Sequence, residues 1–341
     1  MILTLARPHR RPAPLLGALA CALLALVLLA GLVPASASAA SIRKVQVTRN
    51  IVFAGTPEAP VALDVWKPAG ARRAPVLVLL HGGGWARSGR AEWDANGWTG
   101  SFARAGYVVV NADYRLACRN PAQPGTPPNP DGKSAAPTKA DVTLCNHTMD
   151  DALADANSAM RWATSNARTY GGDPTRVVIM GGSAGAHLAL LVASEGDSPR
   201  SLRGVVAFSP PADLEWMARA KIKLADAVTA AIGCEFLACP ARWREFSPMR
   251  QVAAGADPVP TYIMRSRRDL VTPFAQVQRY AQVAIRRGAN VTLREPMDSR
   301  TACHGPWSCE RYGVKGKKGV KLRADVLAWL HSTALAPTAR S

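Results

Sequence analysis

The run Arg176-Val177-Val178-Ile179-Met180-Gly181-Gly182-Ser183-Ala184-Gly185-Ala186-His187-Leu188-Ala189-Leu190 decides the fold. Its first five residues form a short apolar, β-branched stretch and read as a buried strand. From Ala184 onward, alanine and leucine dominate, and both favour helix. Between the two lies the pattern G-x-S-x-G. A strand entering it and a helix leaving it are the setting that a nucleophile elbow requires. Small residues flank Ser183 because such a turn is tight. It lifts the serine hydroxyl above the sheet edge and points the positive end of the following helix at it. The plain alternative is a glycine-rich turn with an idle serine, and the flanking strand and helix weigh against it.

Outward from this run, strand-like and helix-like stretches alternate along the chain. The spacing predicts strands over 45–53, 61–66, 75–80, 107–111, 205–208, 262–265 and 291–294, beside the strand at 176–180. It predicts helices over 151–166, 184–193, 274–287 and 320–332. Such alternation implies an α/β fold built on a mostly parallel, eight-stranded sheet with helices on both faces. Two segments interrupt it. One, about 116–146, is rich in Pro, Gly and Asn and is expected to be an insertion stapled by Cys118 and Cys145. The other, about 212–255, carries helix-like pieces and reads as a small cap over the carboxyl edge of the sheet. Ligands of open α/β sheets bind at that edge. Neither segment is large enough for a separate domain, so residues 41–341 read as one unit.

Composition agrees. With 48% hydrophobic and 19% charged residues, the chain is neither disordered nor fibrous. No repeat of about 20–50 residues is present, which excludes solenoids and propellers. Arg7, Arg10 and Arg11 precede an uncharged apolar stretch over 15–33, followed by Pro34-Ala35-Ser36-Ala37-Ser38-Ala39-Ala40. That order reads as a secretory signal peptide over 1–40, which predicts a secreted or periplasmic protein; an uncleaved anchor is the rival. Beyond Cys21 six cysteines remain, an even number that suits disulfides in an exported chain. Local pairing predicts Cys118–Cys145, Cys234–Cys239 and Cys303–Cys309. The rival is a metal site of Cys303, His304 and Cys309, but the paired C-x₂₋₄-C spacing usual for zinc is missing, so no metal or cofactor is expected. The formal net charge is +18, with a dense cluster from Arg311 to Arg323. No nucleic-acid fold signature accompanies it, so no nucleic-acid partner is expected. Electrostatic contact with an anionic cell wall or membrane surface is the partner that this charge suggests. Oligomeric state is not legible.

The remaining chemistry comes from three places. His81-Gly82-Gly83-Gly84-Trp85 follows the strand at 75–80 directly. Glycines leave backbone amides free to converge on a negative oxygen, so Gly83, Gly84 and Ala184 are the expected oxyanion donors. Trp85 is a candidate substrate-pocket wall. An acid and then a histidine should follow the nucleophile in the chain. Asp269 stands just after the strand at 262–265, with Asp213 as its rival. His304 follows the last strand, with His331 as its rival; His81, His147 and His187 are expected to be structural.

The set HGGGW, Asn111-Ala112-Asp113-Tyr114-Arg115-Leu116-Ala117, Tyr170-Gly171-Gly172-Asp173-Pro174, GGSAGAHLAL and Ser266-Arg267-Arg268-Asp269-Leu270-Val271-Thr272-Pro273 resembles the α/β-hydrolase carboxylesterases. It is most similar to the hormone-sensitive-lipase-like and bacterial feruloyl-esterase-like (BD-FAE) group, over about residues 45–335. The resemblance implies hydrolysis of carboxylic esters through an acyl-enzyme. Ser183 would be the nucleophile, His304 the base, Asp269 the orienting acid, and Gly83, Gly84 and Ala184 the oxyanion hole. The substrate class would be small-molecule or polysaccharide-linked esters. Three departures bear on substrate range: Ser266 and its neighbours replace a usual glycine, the segment after Ala117 is long, and cysteines bracket His304. The same residues would also serve an acyltransferase or amidase, and a non-catalytic binding member with a basic surface is the third reading.

Overall fold

The computed structural model describes residues 44–117, 144–194, 201–255, 259–298, 300 and 302–335. The expected leader, the interior of the 116–146 insertion and the Cys118–Cys145 pairing lie outside them.

Eight strands form one sheet in the order β1-β2-β4-β3-β5-β6-β7-β8. They are β1 Val45–Gly55, β2 Pro60–Pro68, β3 Ala74–Leu80, β4 Val108–Ala112, β5 Gly172–Gly182, β6 Leu202–Phe208, β7 Thr261–Met264 and β8 Val291–Arg294. β2 runs antiparallel to both β1 and β4, and every other pairing is parallel. The parallel strands are apolar on both faces because helices cover both. In β3, Val76, Val78 and Leu80 enter one core, while Leu77 and Leu79 enter the other. β5 repeats this with Val177 and Ile179 against Val178 and Met180.

On the first face lie α3 Met149–Asn166, α4 Ala184–Ser194 and α9 Phe274–Arg286. On the second lie α1 Ala91–Ala95, α2 Trp98–Arg104 and α11 Leu322–Trp329. α3 begins two residues earlier than its apolar spacing suggests, because Thr148 and Asp151 form a capping box. α11 ends early and passes into a π turn over Leu330–Ala334. α1 and α2 are absent from the expectation: they have five and seven residues, too few to display a helical period, and Gly97 at φ +70° separates them.

Between β6 and β7 the chain runs through α5 Leu214–Arg219, α6 Leu224–Ile232, α7 Pro240–Glu245 and α8 Pro248–Ala254. These helices share the first core through Leu214, Met217, Val228, Trp243 and Val252. Ala227 of α6 comes within reach of Gly84: a Cβ on that glycine would lie 3.9 Å from the Ala227 Cβ. The excursion therefore touches the glycine loop after β3. Cys234 and Cys239 stand with Cα atoms 6.2 Å apart, and Cys303 and Cys309 with theirs 5.2 Å apart, both within the reach of a disulfide. No helix among the described residues is long and apolar enough to cross a membrane.

Candidate active site

Ser183 sits between β5 and α4 with φ +52°, a left-handed conformation that a non-glycine residue adopts at a local cost. The glycines around it permit the turn. A Cβ on Gly181 would lie 2.2 Å from the Gly185 carbonyl, and one on Gly185 would lie 2.3 Å from the carbonyl oxygens of Leu80 and His81. Strand and helix thus approach more closely than any side chain allows. The Ser183 amide donates to Phe208 O of β6 at 2.8 Å, and Ser183 O accepts from the His187 amide at 3.0 Å, opening α4.

The structure brings Ser183, His304 and Asp269 together from three separate loops. His304 Nε2 lies 2.9 Å from Ser183 Oγ, and its Nδ1 lies 2.9 Å from Asp269 Oδ2 and 3.1 Å from Oδ1. The Asp269 side chain is 1% exposed and that of His304 26% exposed, so the carboxylate is shielded while the imidazole is reachable. Asp269 Oδ1 accepts from the amides of Val271 and Thr272, both at 2.9 Å, and Oδ2 accepts from the Thr272 hydroxyl at 2.9 Å. Burial pushes this carboxyl up; the neighbouring His304 and the hydrogen bonds from His304, Thr272 and Val271 outweigh it and hold Asp269 below the usual carboxylate range. The His304 loop is itself tied down. The His304 amide donates to Ser308 Oγ at 2.8 Å, and the Gly305 amide donates to Ser209 Oγ at 3.1 Å.

The glycine loop after β3 lies against the elbow: a Cβ on Gly82 would be 3.6 Å from the Ser183 Cβ. Gly83 at φ +101° and Gly84 at φ +62° need the freedom of glycine. Among the described residues, the amides of Gly83, Gly84 and Ala184 donate no hydrogen bond. Tyr114 donates its hydroxyl to His81 O at 3.0 Å and Gly82 O at 3.1 Å and stacks on the His81 ring at 4.1 Å. Burial raises its pKa well above the ordinary tyrosine value, so it stays a donor.

Trp85, expected as a pocket wall, is 1% exposed and stands edge-on to His187 in the core, where it offers a substrate almost no surface. The rivals are engaged elsewhere. Asp213 caps α5 through the Trp216 amide and pairs with Arg279 at 3.3 Å. His331 stacks on Tyr107, and His147 pairs with Asp151 at 3.5 Å. Both ring nitrogens of His304 face Asp269 and Ser183, which turns the ring away from a metal-ligand role with Cys303 and Cys309. Two participants were not legible in the sequence. One is Thr272. The other is Glu92, which accepts from the Gly82 amide at 3.3 Å and from Trp307 Nε1 at 2.9 Å, joining the glycine loop to the His304 loop. Glu92 and Trp307 are 215 residues apart, and no local pattern announces such a pair.

Chemically, the arrangement can take a proton from Ser183, hold the resulting imidazolium against a buried carboxylate, and offer amides to a developing oxyanion. Comparison with known proteins agrees in fold. The native thermophilic esterase Est2 of Thermogutta terrifontis superposes with a TM-score of 0.57 at 24% identity, over 89% of this chain and 96% of that one. Carboxylesterase NlhH of Mycobacterium tuberculosis is 30% identical over 145 residues, 42% of this chain and 36% of the relative. Fumonisin B1 esterase of Sphingopyxis macrogoltabida is 34% identical over 144 residues, 41% of this chain and 24% of the relative. The chain thus spans well under half the length of these two curated relatives. The model of the BD-FAE family matches residues 63–125 and 143–283, more than half of the chain. Together with the sheet order and the elbow geometry, that match settles the lineage: this chain has the α/β-hydrolase fold and belongs to the BD-FAE family.

Proposed function

We propose that the protein is a serine carboxylic-ester hydrolase that works through an acyl-enzyme. The observation that carries this is the unbroken chain Ser183 Oγ–His304 Nε2 and His304 Nδ1–Asp269 Oδ2, with 2.9 Å at each link. Ser183 Oγ attacks the ester carbonyl carbon while His304 Nε2 takes its proton. The carbonyl oxygen becomes an oxyanion, met by the amides of Gly83, Gly84 and Ala184; one such donor is worth about 10²–10³ in kcat. As the carbon–oxygen bond to the alcohol breaks, His304 gives the proton to the departing oxygen. Water repeats the sequence on the acyl-serine and releases the acid. Asp269 orients the ring and stabilises its charged form. The oxyanion roles are supported by the unoccupied amides, and the reaction class by what the relatives are called.

The substrate class is small-molecule or polysaccharide-linked esters of short or aromatic acids. The protein is read as secreted or periplasmic, with its signal peptide at 1–40 and disulfides at Cys234–Cys239 and Cys303–Cys309. The second of these closes the loop that carries His304. The segment 212–255 serves as a cap, which its approach to Gly84 supports.

Replacing Ser183 with Ala is expected to lower turnover of aryl and short acyl esters by about 10³-fold or more, with an unchanged far-UV spectrum. The wild-type chain is expected to be labelled by a fluorophosphonate and the variant is not. Undiminished turnover in the variant would overturn the reading. Measuring free acid against acyl-transfer products in the same assay separates hydrolysis from transfer.

A further inference from the structure

Three loops meet at the carboxyl edge of β7 and β8, and the first of them also carries Asp269. The first follows β7 and holds Arg267, Arg268 and Leu270. The second follows β8 and holds Glu295 and Met297. The third is the turn at 313–321, which holds Lys315, Lys317 and Lys318. They are joined into one surface. The Arg265 amide donates to Arg294 O at 3.0 Å, the Lys315 amide donates to Glu295 O at 2.7 Å, and Pro296 bridges to Val314.

The charges on this surface divide into two kinds. Arg267 and Lys315 share the Glu295 carboxylate at 3.0 Å and 3.5 Å, and Lys317 pairs with the buried Asp325 at 2.7 Å. The exposed side chains of Arg268 and Lys318 make no hydrogen bond or ion pair among the described residues. The same loops hold two apolar side chains in water. Leu270, directly after Asp269, is 84% exposed, and Met297 is 41% exposed.

Cations alone would suit any polyanion. A polyanionic chain, however, would leave Leu270 and Met297 hydrated and gain nothing from them. An anionic bilayer takes both kinds of group: phosphates meet the cations, and the interfacial acyl region receives the apolar side chains. We propose that this face docks on an anionic phospholipid bilayer, with Arg268 and Lys318 at the headgroups and Leu270 and Met297 entering the interface. Docking this way sets the loop of Asp269 at the lipid surface. The proposal does not depend on the hydrolase reading, because binding is measured without turnover.

The test is co-sedimentation of the mature chain, residues 41–341, with phosphatidylcholine vesicles, with and without about 30% phosphatidylglycerol. The wild-type chain is expected to partition about tenfold or more in favour of the phosphatidylglycerol vesicles at low salt, with the preference shrinking as salt rises. Arg268→Glu with Lys318→Glu is expected to remove that preference. Leu270→Ser is expected to weaken binding to the anionic vesicles severalfold while circular dichroism stays unchanged. Ser183→Ala protein is expected to bind like wild type, which keeps this result separate from any result on activity. No preference for phosphatidylglycerol, or a preference that survives the double charge reversal, overturns the proposal. So does equal capture by dextran sulfate with no effect of Leu270→Ser, which would assign the face to an anionic polymer.

Discussion

The Thr272 hydroxyl lies 2.9 Å from Asp269 Oδ2 and 3.4 Å from His304 Nδ1, where these two side chains meet. Its amide makes a separate bond to Asp269 Oδ1 at 2.9 Å, which any residue but proline would keep. Thr272→Val therefore removes one hydrogen bond to a charged acceptor and little else. The expected result is a fall in kcat of about tenfold with KM nearly unchanged, since a charge-assisted bond is worth about 1.5–3 kcal/mol and part of it is recovered by relaxation. Thr272→Ser should restore most of the loss. An unchanged kcat in Thr272→Val, or no recovery in Thr272→Ser, would assign Thr272 to packing alone. Asp269 is held below the usual carboxylate range, so it remains ionised where ordinary carboxylates begin to protonate. On acidification, a loss of kcat/KM in the range where ordinary carboxylates titrate is then expected to have a cause other than protonation of Asp269. A pH profile of the wild-type chain beside Asp269→Asn checks this, because the acid limb should survive in whatever activity the variant retains.

At the scale of elements, the elbow depends on how closely β3, β5 and α4 approach. A Cβ on Gly185 would meet two backbone carbonyl oxygens at 2.3 Å, and backbone cannot swing aside as a flexible side chain can. Gly185→Ala is expected to destabilise by about 3 kcal/mol or more. Gly106→Ala is the control: its φ is +105°, yet nothing lies within 4 Å of the added Cβ, so only backbone strain of about 1–2 kcal/mol is expected. Urea unfolding of the two variants checks the order, and equal losses would show that close approach is not what Gly185 supplies. The same closeness explains why the elbow was legible in the sequence: only glycine fits, so the constraint is written in one contiguous run. The strands were legible too, since full burial on both faces leaves continuous apolar stretches at 76–80 and 177–180. Asp269 and His304 could be placed by chain order after successive strands. α1 and α2 were not legible because short helices carry no period, and α10 Gly305–Glu310 escaped for the same reason. Trp85 was misjudged because its neighbour in sequence, the glycine loop, faces the site while its own ring turns inward to His187.

Across the whole molecule, α4 and the first core are joined to the helical excursion by a buried group that titrates. His187, on α4, is fully buried, and its Nε2 lies 2.8 Å from Phe246 O just past α7. Burial lowers its pKa from 6.5 to about 4, against a smaller upward pull from the Phe246 carbonyl. The folded chain therefore keeps this ring neutral while the unfolded chain charges it. Below pH 6.5 the unfolded state binds a proton that the folded state refuses, so stability falls as pH drops from about 6.5 to about 4 and then levels off for this group. At about 1.4 kcal/mol per pH unit, the full loss is about 3 kcal/mol, a large share of the about 5–15 kcal/mol that holds a domain folded. Ordinary carboxylates contribute little between pH 7 and 5, because they titrate lower. His187→Gln keeps an amide able to donate to Phe246 O but cannot charge. Between pH 7 and pH 5, wild-type protein is expected to lose about 2 kcal/mol more unfolding free energy than His187→Gln, read from urea midpoints at constant salt. Constant salt matters in a chain with net charge +18, whose self-repulsion deepens on acidification in both proteins alike. Parallel pH dependences would mean that the ring charges within the fold. The contact between α4 and the excursion would then have to open to water far below the denaturation point, and the glycine loop that α6 touches would be free to move with it.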